Sequence, residues 1–166
     1  MTFYVENETE EEFPFSVEDT GRHVAEAVLE RENCSYEASV NLVITDSEGI
    51  RELNRDSRGI DCETDVLSFP NVDFGNPGEF VIPKDKKADY FDPDTEELLL
   101  GDICICANKV REQAASFGHS LLREFAFLVA HSMFHLCGYD HMEETEACIM
   151  ERKQEEILAA LGITRD

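Results

Sequence analysis

Tryptophan is absent from this 166-residue chain, and basic residues are scarce: 14 lysines and arginines face 37 aspartates and glutamates. The resulting net charge of -23 argues against a protein that grips nucleic acid through a broad basic face. It leaves room for an enzyme with one local basic patch. No apolar run reaches the roughly 18 residues that a membrane-spanning helix requires, so no membrane partner is expected. The opening MTFYVENETEEEF is acidic and lacks the apolar core of a secretory signal. A cytoplasmic location is the expectation. Disulfides are not expected either. The six cysteines form no CxxC pair, and most sit inside apolar or periodic segments, as buried reduced thiols do. Cys104 and Cys106, in ICIC, share one face of a strand and read as packing residues.

No internal repeat is visible, and the length fits a single domain over residues 1–166. Within it, 1–14 reads as an acidic segment and 71–97 as a long loop. The loop carries Pro77, Pro83 and Pro93 and many charges, with a short strand expected at Phe80–Ile82. Loops of that length are functional or partly disordered. Strands are expected at Phe3–Val5, Ala38–Thr45, Asp65–Phe69 (stopped by Pro70) and Leu98–Cys106, the last broken in direction near Gly101. Helices are expected from 16 to 32, begun by Ser16, from Asp46 or Ser47 to about Ser57, and from 107 to 117, ended by Gly118. A mostly apolar, central helix runs from Ser120 into Cys137 and ends at Gly138. The last helix, Glu143–Leu161, turns Met150, Ile157, Leu158 and Leu161 inward. The expected fold is α+β. A small mixed, mostly parallel four-stranded sheet packs with about five helices, and a metal site lies at the end of the central helix.

That site comes from HSMFHLCGYDH, residues 131–141, which holds three of the chain's five histidines. His131 and His135 are four residues apart on a helix and project from the same face. Two imidazoles so placed reach one ion at about 2.0–2.1 Å each. Gly138 permits a sharp change of direction, after which His141 folds back as a third ligand. Three neutral imidazoles favour zinc or a related transition metal over magnesium. Three protein ligands leave one position open, the mark of a catalytic site, where the metal would lower the pKa of water towards about 7. One zinc ion per chain is expected. The other two histidines are read differently, His119 as a capping or surface residue and His23 as solvated.

The spacing HxxxHxxGxxH also belongs to a clan of zinc metalloproteases, whose signature HExxHxxGxxH places a glutamate general base after the first histidine. Ser132 stands there in this chain and cannot act as a carboxylate base. A zinc-dependent peptidase is therefore the weaker alternative.

The same eleven residues resemble the H-G-x-x-H-L-x-G-Y-D-H signature of the YbeY family of bacterial endoribonucleases. The likeness extends to ELNRDSRGIDCETDVLSFP (52–70), to LGDICI (100–105) and to the C-terminal helix with Met150 and Ile157-Leu158, four blocks in the family's order. The resemblance implies a metal-dependent hydrolase of single-stranded RNA that matures small-subunit ribosomal RNA and serves ribosome quality control. Its implied partners are RNA and the small ribosomal subunit with its proteins, not DNA. It implies His131, His135 and His141 as metal ligands and Arg58 as the arginine implicated in activity. Ser132 departs from the family's usual glycine, a small change expected to leave metal binding intact while adding bulk against the helix behind it. The acidic N-terminus and the 71–97 loop match no part of the pattern.

Arg51, Arg55 and Arg58 follow one another at i, i+4 and i+7 and share a helix face if the helix reaches Arg58. Guanidinium forks suit phosphate oxygens, so Arg51 and Arg55 are candidate substrate-binding residues and Arg58 a candidate stabiliser of phosphoryl charge. The bland alternative for Arg51 and Arg55 is a surface helix laced by pairs with Glu48 and Glu52. Asp140 either orients a histidine through its second nitrogen or caps the turn. Asp65 and Asp102 are further candidates for supporting the site. A non-enzyme reading also stands: a ribosome-assembly factor with a structural zinc, its acidic surface docking on basic ribosomal proteins.

Overall fold

The computed structural model describes residues 1–163. Four strands form one sheet: β1 (Thr2–Asn7), β2 (Ala38–Thr45), β3 (Val66–Pro70) and β4 (Leu98–Cys106), in the order β1-β2-β4-β3. β1, β2 and β4 run parallel, while β3 pairs antiparallel with β4. Six α-helices accompany them: α1 (Val17–Arg31), α2 (Ser47–Arg58), α3 (Lys87–Tyr90), α4 (Ala107–Phe117), α5 (Leu121–Leu136) and α6 (Glu144–Ala160). The α+β, mostly parallel architecture expected from the sequence is the one observed.

Side-chain caps set the helix starts. Ser16 accepts from the Asp19 N–H, Asp46 from Gly49 and Ser120 from Arg123, each satisfying a donor that the helix leaves unpaired. Gly59 and Gly118 close α2 and α4 in the left-handed region. The main core lies between the sheet and α1, α5 and α6, and includes Val24, Val28, Leu42, Ile103, Phe125, Met133 and Leu158. A smaller cluster of Ile50, Leu67, Cys104 and Cys106 sits under α2, so the two ICIC thiols are packing residues. Helix α5 is apolar on almost every side because it is buried on almost every side.

Several expectations need correction. Phe80–Ile82 forms no strand; a 3₁₀ turn at Lys84–Lys86 and α3 are the regular structure of this loop. Phe74, Phe80, Ile82 and Phe91 nevertheless pack on the core, and the Gly78 N–H donates to the Cys137 carbonyl at 2.9 Å. Strand β4 is not broken. Its irregularity is a bulge opposite Ser39 and Val40, which Gly101 accommodates at φ 141°. Pro70 ends β3 as its last member, in register with Gly101. Leu161 lies past the end of α6 and is exposed, whereas Gln154 takes an inward position beside Met150, Ile157 and Leu158. The acidic N-terminal stretch is anchored: Phe13 and Phe15 stack about Phe125, and Glu11 pairs with Arg111 at 2.7 Å.

Candidate metal centre

His131 and His135 occupy the last two turns of α5, one above the other. Gly138, at φ 96°, then reverses the chain, and a Cβ there would press into Phe74. The turn brings His141 back over the helix end. The nitrogens of His131, His135 and His141 lie within 4.8 Å of one another. The Nε2 atoms of His131 and His135 are 3.1 Å apart. This cluster could hold a metal ion.

The turn is braced from below. The Tyr139 hydroxyl donates to Glu32 at the end of α1, and Lys153 of α6 donates to the same carboxylate, at 2.7 and 2.8 Å. Burial and the Glu32 carboxylate push the Tyr139 phenol well above its ordinary pKa, so it stays a neutral donor. Tyr139 in turn presents its carbonyl to His135 Nδ1 at 2.9 Å. The Nδ1–H of His135 donates there, which leaves Nε2 as the nitrogen with a free lone pair. Gln154 Nε2, on a side chain that is fully buried, donates to His131 Nδ1 at 2.8 Å. As placed, the two rings form a chain in which Gln154 donates to His131, His131 Nε2–H donates to His135 Nε2 at 3.1 Å, and His135 donates to Tyr139. Turning the Gln154 carboxamide so that its oxygen faces Nδ1 would move the His131 proton to Nδ1 and free both Nε2 atoms, the arrangement metal-bound histidines require.

Electrostatics point the same way. Burial, with His135 and His141 close by, pushes the pKa of His131 down to about 4. Burial also lowers that of His135. Neutral imidazoles are the chemical form that binds a transition metal.

The sequence-predicted residues divide around this centre. Arg58 lines the histidine cleft, together with Asp65, Ser68 and Asp140. Among the described residues its side chain forms no ion pair or hydrogen bond. Arg51 and Arg55 lie outside the cleft lining. Arg51 pairs with Asp61 at 2.8 Å and Arg55 contacts Asp56, so the acidic partners are not Glu48 and Glu52. Asp140 accepts from the His141 N–H at 2.7 Å and holds the turn, while the histidine-orienting contacts come from Gln154 and Tyr139. Asp102 is bonded to Asn41 across the sheet and is absent from the cleft lining. His119 is not a surface residue. Gly118 folds it back so that its Nε2 lies 2.6 Å from the buried Glu124. His23 is exposed.

A family model described as Endoribonuclease YbeY matches residues 4–162. The chain belongs to the YbeY endoribonuclease family. A protein of Agathobacter rectalis named Endoribonuclease YbeY is 54% identical over 165 residues, 99% of this chain and 100% of that one. A like-named protein of Lachnospira eligens is 50% identical over 169 residues, with 99% and 100% covered. The solution structure of a Thermotoga maritima protein aligns with a TM-score of 0.57 at 22% identity, covering 96% of this chain and 91% of that one; this is a likeness of fold alone.

The departure from the YbeY signature at Ser132 adds a hydroxyl that finds a partner. Ser132 is fully buried, and its Oγ accepts from the Ser68 hydroxyl on β3 at 2.9 Å. Sequence reasoning missed this pair, and it missed Gln154. The signal for Gln154 was there: 150, 154, 157 and 158 share one helical face, and a polar residue among apolar ones on that face needs a buried partner.

Proposed function

We propose that this chain is a metal-dependent endoribonuclease that hydrolyses phosphodiester bonds in single-stranded RNA. The observation that carries the reading is one cleft in which three imidazoles converge beside an unpaired arginine, in a member of an endoribonuclease family. His131, His135 and His141 would hold one zinc ion. When bound, zinc supplies Lewis-acid activation of water and of a phosphoryl oxygen. Arg58 binds a non-bridging phosphate oxygen and stabilises the charge that grows as water adds to phosphorus and the bond to the leaving ribose oxygen breaks. The Tyr139 carbonyl keeps His135 in the ligating tautomer, and Gln154, with its carboxamide oxygen turned to His131 Nδ1, would do the same for His131. Asp140 positions His141 by holding its backbone. Arg51 and Arg55, tied to aspartates, contribute at most to the outer path of the strand. The biological setting is small-subunit ribosomal RNA maturation and ribosome quality control in the cytoplasm. Among the described residues no helix is long and apolar enough to cross a membrane.

The test compares zinc-loaded protein with His135→Ala on one labelled single-stranded RNA. Cleavage by the unmodified protein alone supports the reading. Arg58→Ala should lower turnover about 10²–10³-fold, as loss of a charge-stabilising donor does, with zinc content unchanged. A zinc-loaded protein that binds ribosomal proteins but cuts no RNA favours the assembly-factor alternative, which the net charge of -23 supports. Cleavage of unfolded protein would restore the peptidase.

A further inference from the structure

A second cavity, of about 410 Å³, opens beside the histidine cleft, and Asp65 lines both. It lies between the end of α4, the start of α5 and the entry to β3. Its other walls are Gln113, Phe117, His119, Arg123, Glu124 and Phe127. Glu124 and His131 are seven residues apart on α5, close to two full turns, so the cavity sits about 10 Å along the helix from the ligand cluster.

Its chemistry is specific. A chain of hydrogen bonds runs from Asp65 through Gln113 to Glu124 and His119: Gln113 Nε2 donates to Asp65 at 3.3 Å and to Glu124 at 2.6 Å, and Glu124 meets His119 at 2.6 Å. Gln113 Nε2 is committed to these bonds, whereas its carbonyl oxygen has no partner among the described residues. The cavity therefore offers acceptors, two carboxylates and an amide oxygen, beside one cation, Arg123, whose terminal nitrogens are tied to Glu155 and the Ile163 carbonyl and whose buried Nε has no partner among the described residues. At its mouth Phe117 is 65% exposed, with its ring 5.8 Å from that of His119. Arg123 is already neutralised by Glu155 at 2.8 Å, so the two carboxylates set the sign of the cavity and repel a phosphate, and the sugar–phosphate backbone stays outside. A nucleobase is neutral, has a π-face for Phe117, and can donate from an exocyclic amine.

We propose that this cavity is a base-binding subsite. It takes the base of a nucleotide close to the one being cut, stacked on Phe117. The amine of guanine, adenine or cytosine donates to the Gln113–Asp65–Glu124 edge, so uracil is disfavoured. The proposal rests on the endoribonuclease reading. Stacking on aromatic side chains is the general means by which unpaired bases are held, and it explains an exposed phenylalanine on an otherwise acidic surface.

The test uses zinc-loaded full-length protein and a single-stranded RNA carrying 2-aminopurine at successive positions, read by stopped-flow fluorescence before cleavage. One position near the cut bond should be quenched on binding. Phe117→Ala should abolish that quenching and raise KM about tenfold, with kcat and melting temperature little changed because the ring is exposed. An abasic nucleotide at the responsive position should weaken the unmodified protein equally and Phe117→Ala no further. Gln113→Ala should narrow the preference against uracil there. If the unmodified protein cuts RNA but no position is quenched, or Phe117→Ala and Gln113→Ala stay within twofold in KM, the subsite is overturned and the nuclease reading survives. If the unmodified protein neither binds nor cuts RNA, both fall.

Discussion

Gln154 is the residue whose role differs most from its appearance. In the sequence it is one polar side chain in a charged helix; in the structure it is buried against His131 Nδ1. Replacing a partner of this kind typically costs ten- to a hundredfold in metal affinity. Gln154→Leu should therefore weaken zinc binding by about that factor, measured by chelator competition, while the circular dichroism spectrum stays unchanged. His131 leads to a second expectation. Its pKa is about 4 in the folded metal-free protein, against an ordinary 6.5. The unfolded chain thus takes up a proton that the folded one refuses. The associated stability is fully present above pH 6.5 and is lost as pH falls towards 4, up to about 3 kcal/mol. Urea midpoints of metal-free protein between pH 7 and 5 should show this slope, and His131→Gln should flatten it.

At the scale of elements, Gly101 is the point where β4 bulges and β3 pairs. Its φ of 141° disfavours any side chain, and a Cβ there would collide with the Phe69 carbonyl oxygen. Gly101→Ala should cost about 2–3 kcal/mol in urea unfolding, and should disturb the strand that carries Ser68 towards Ser132. The elements themselves were largely legible. Caps at Ser16, Asp46 and Ser120, breakers at Gly59, Gly118 and Gly138, and the alternation of β2 are local signals, and local signals suffice for caps and periods. The loop was not legible, because Phe80–Ile82 is apolar without being a strand: it packs through side chains and needs no ladder. His119 was misread for a related reason. Its burial is decided by Glu124, five residues on, and by a turn whose geometry belongs to Gly118. In the candidate site, the histidine triad was readable as spacing. For Gln154 the need for a buried partner was readable from its place on the apolar face of α6, but the identity of that partner was not, since the contact joins α5 to α6 across the core.

For the molecule as a whole, the net charge of -23 sets how RNA approaches. Typical RNA binders release many counterions and weaken steeply with salt. Here few cations meet phosphate, while the long-range field is repulsive and is screened within about 10 Å at 0.1 M salt. Raising monovalent salt from low to physiological strength should leave the KM for RNA nearly constant or lower it, as steady-state kinetics at several salt concentrations would show. The order of the pieces along the chain has a consequence in time. Growing from its N-terminus, the chain presents Arg58 and Asp65 first. The ligands at 131, 135 and 141 come much later, and the Gln154 contact that orients one of them comes later still. A nascent chain carries the half of the cleft proposed to face phosphate without the half that would hold the ion. On this ordering, the proposed activity waits for the last fifth of the chain to be made.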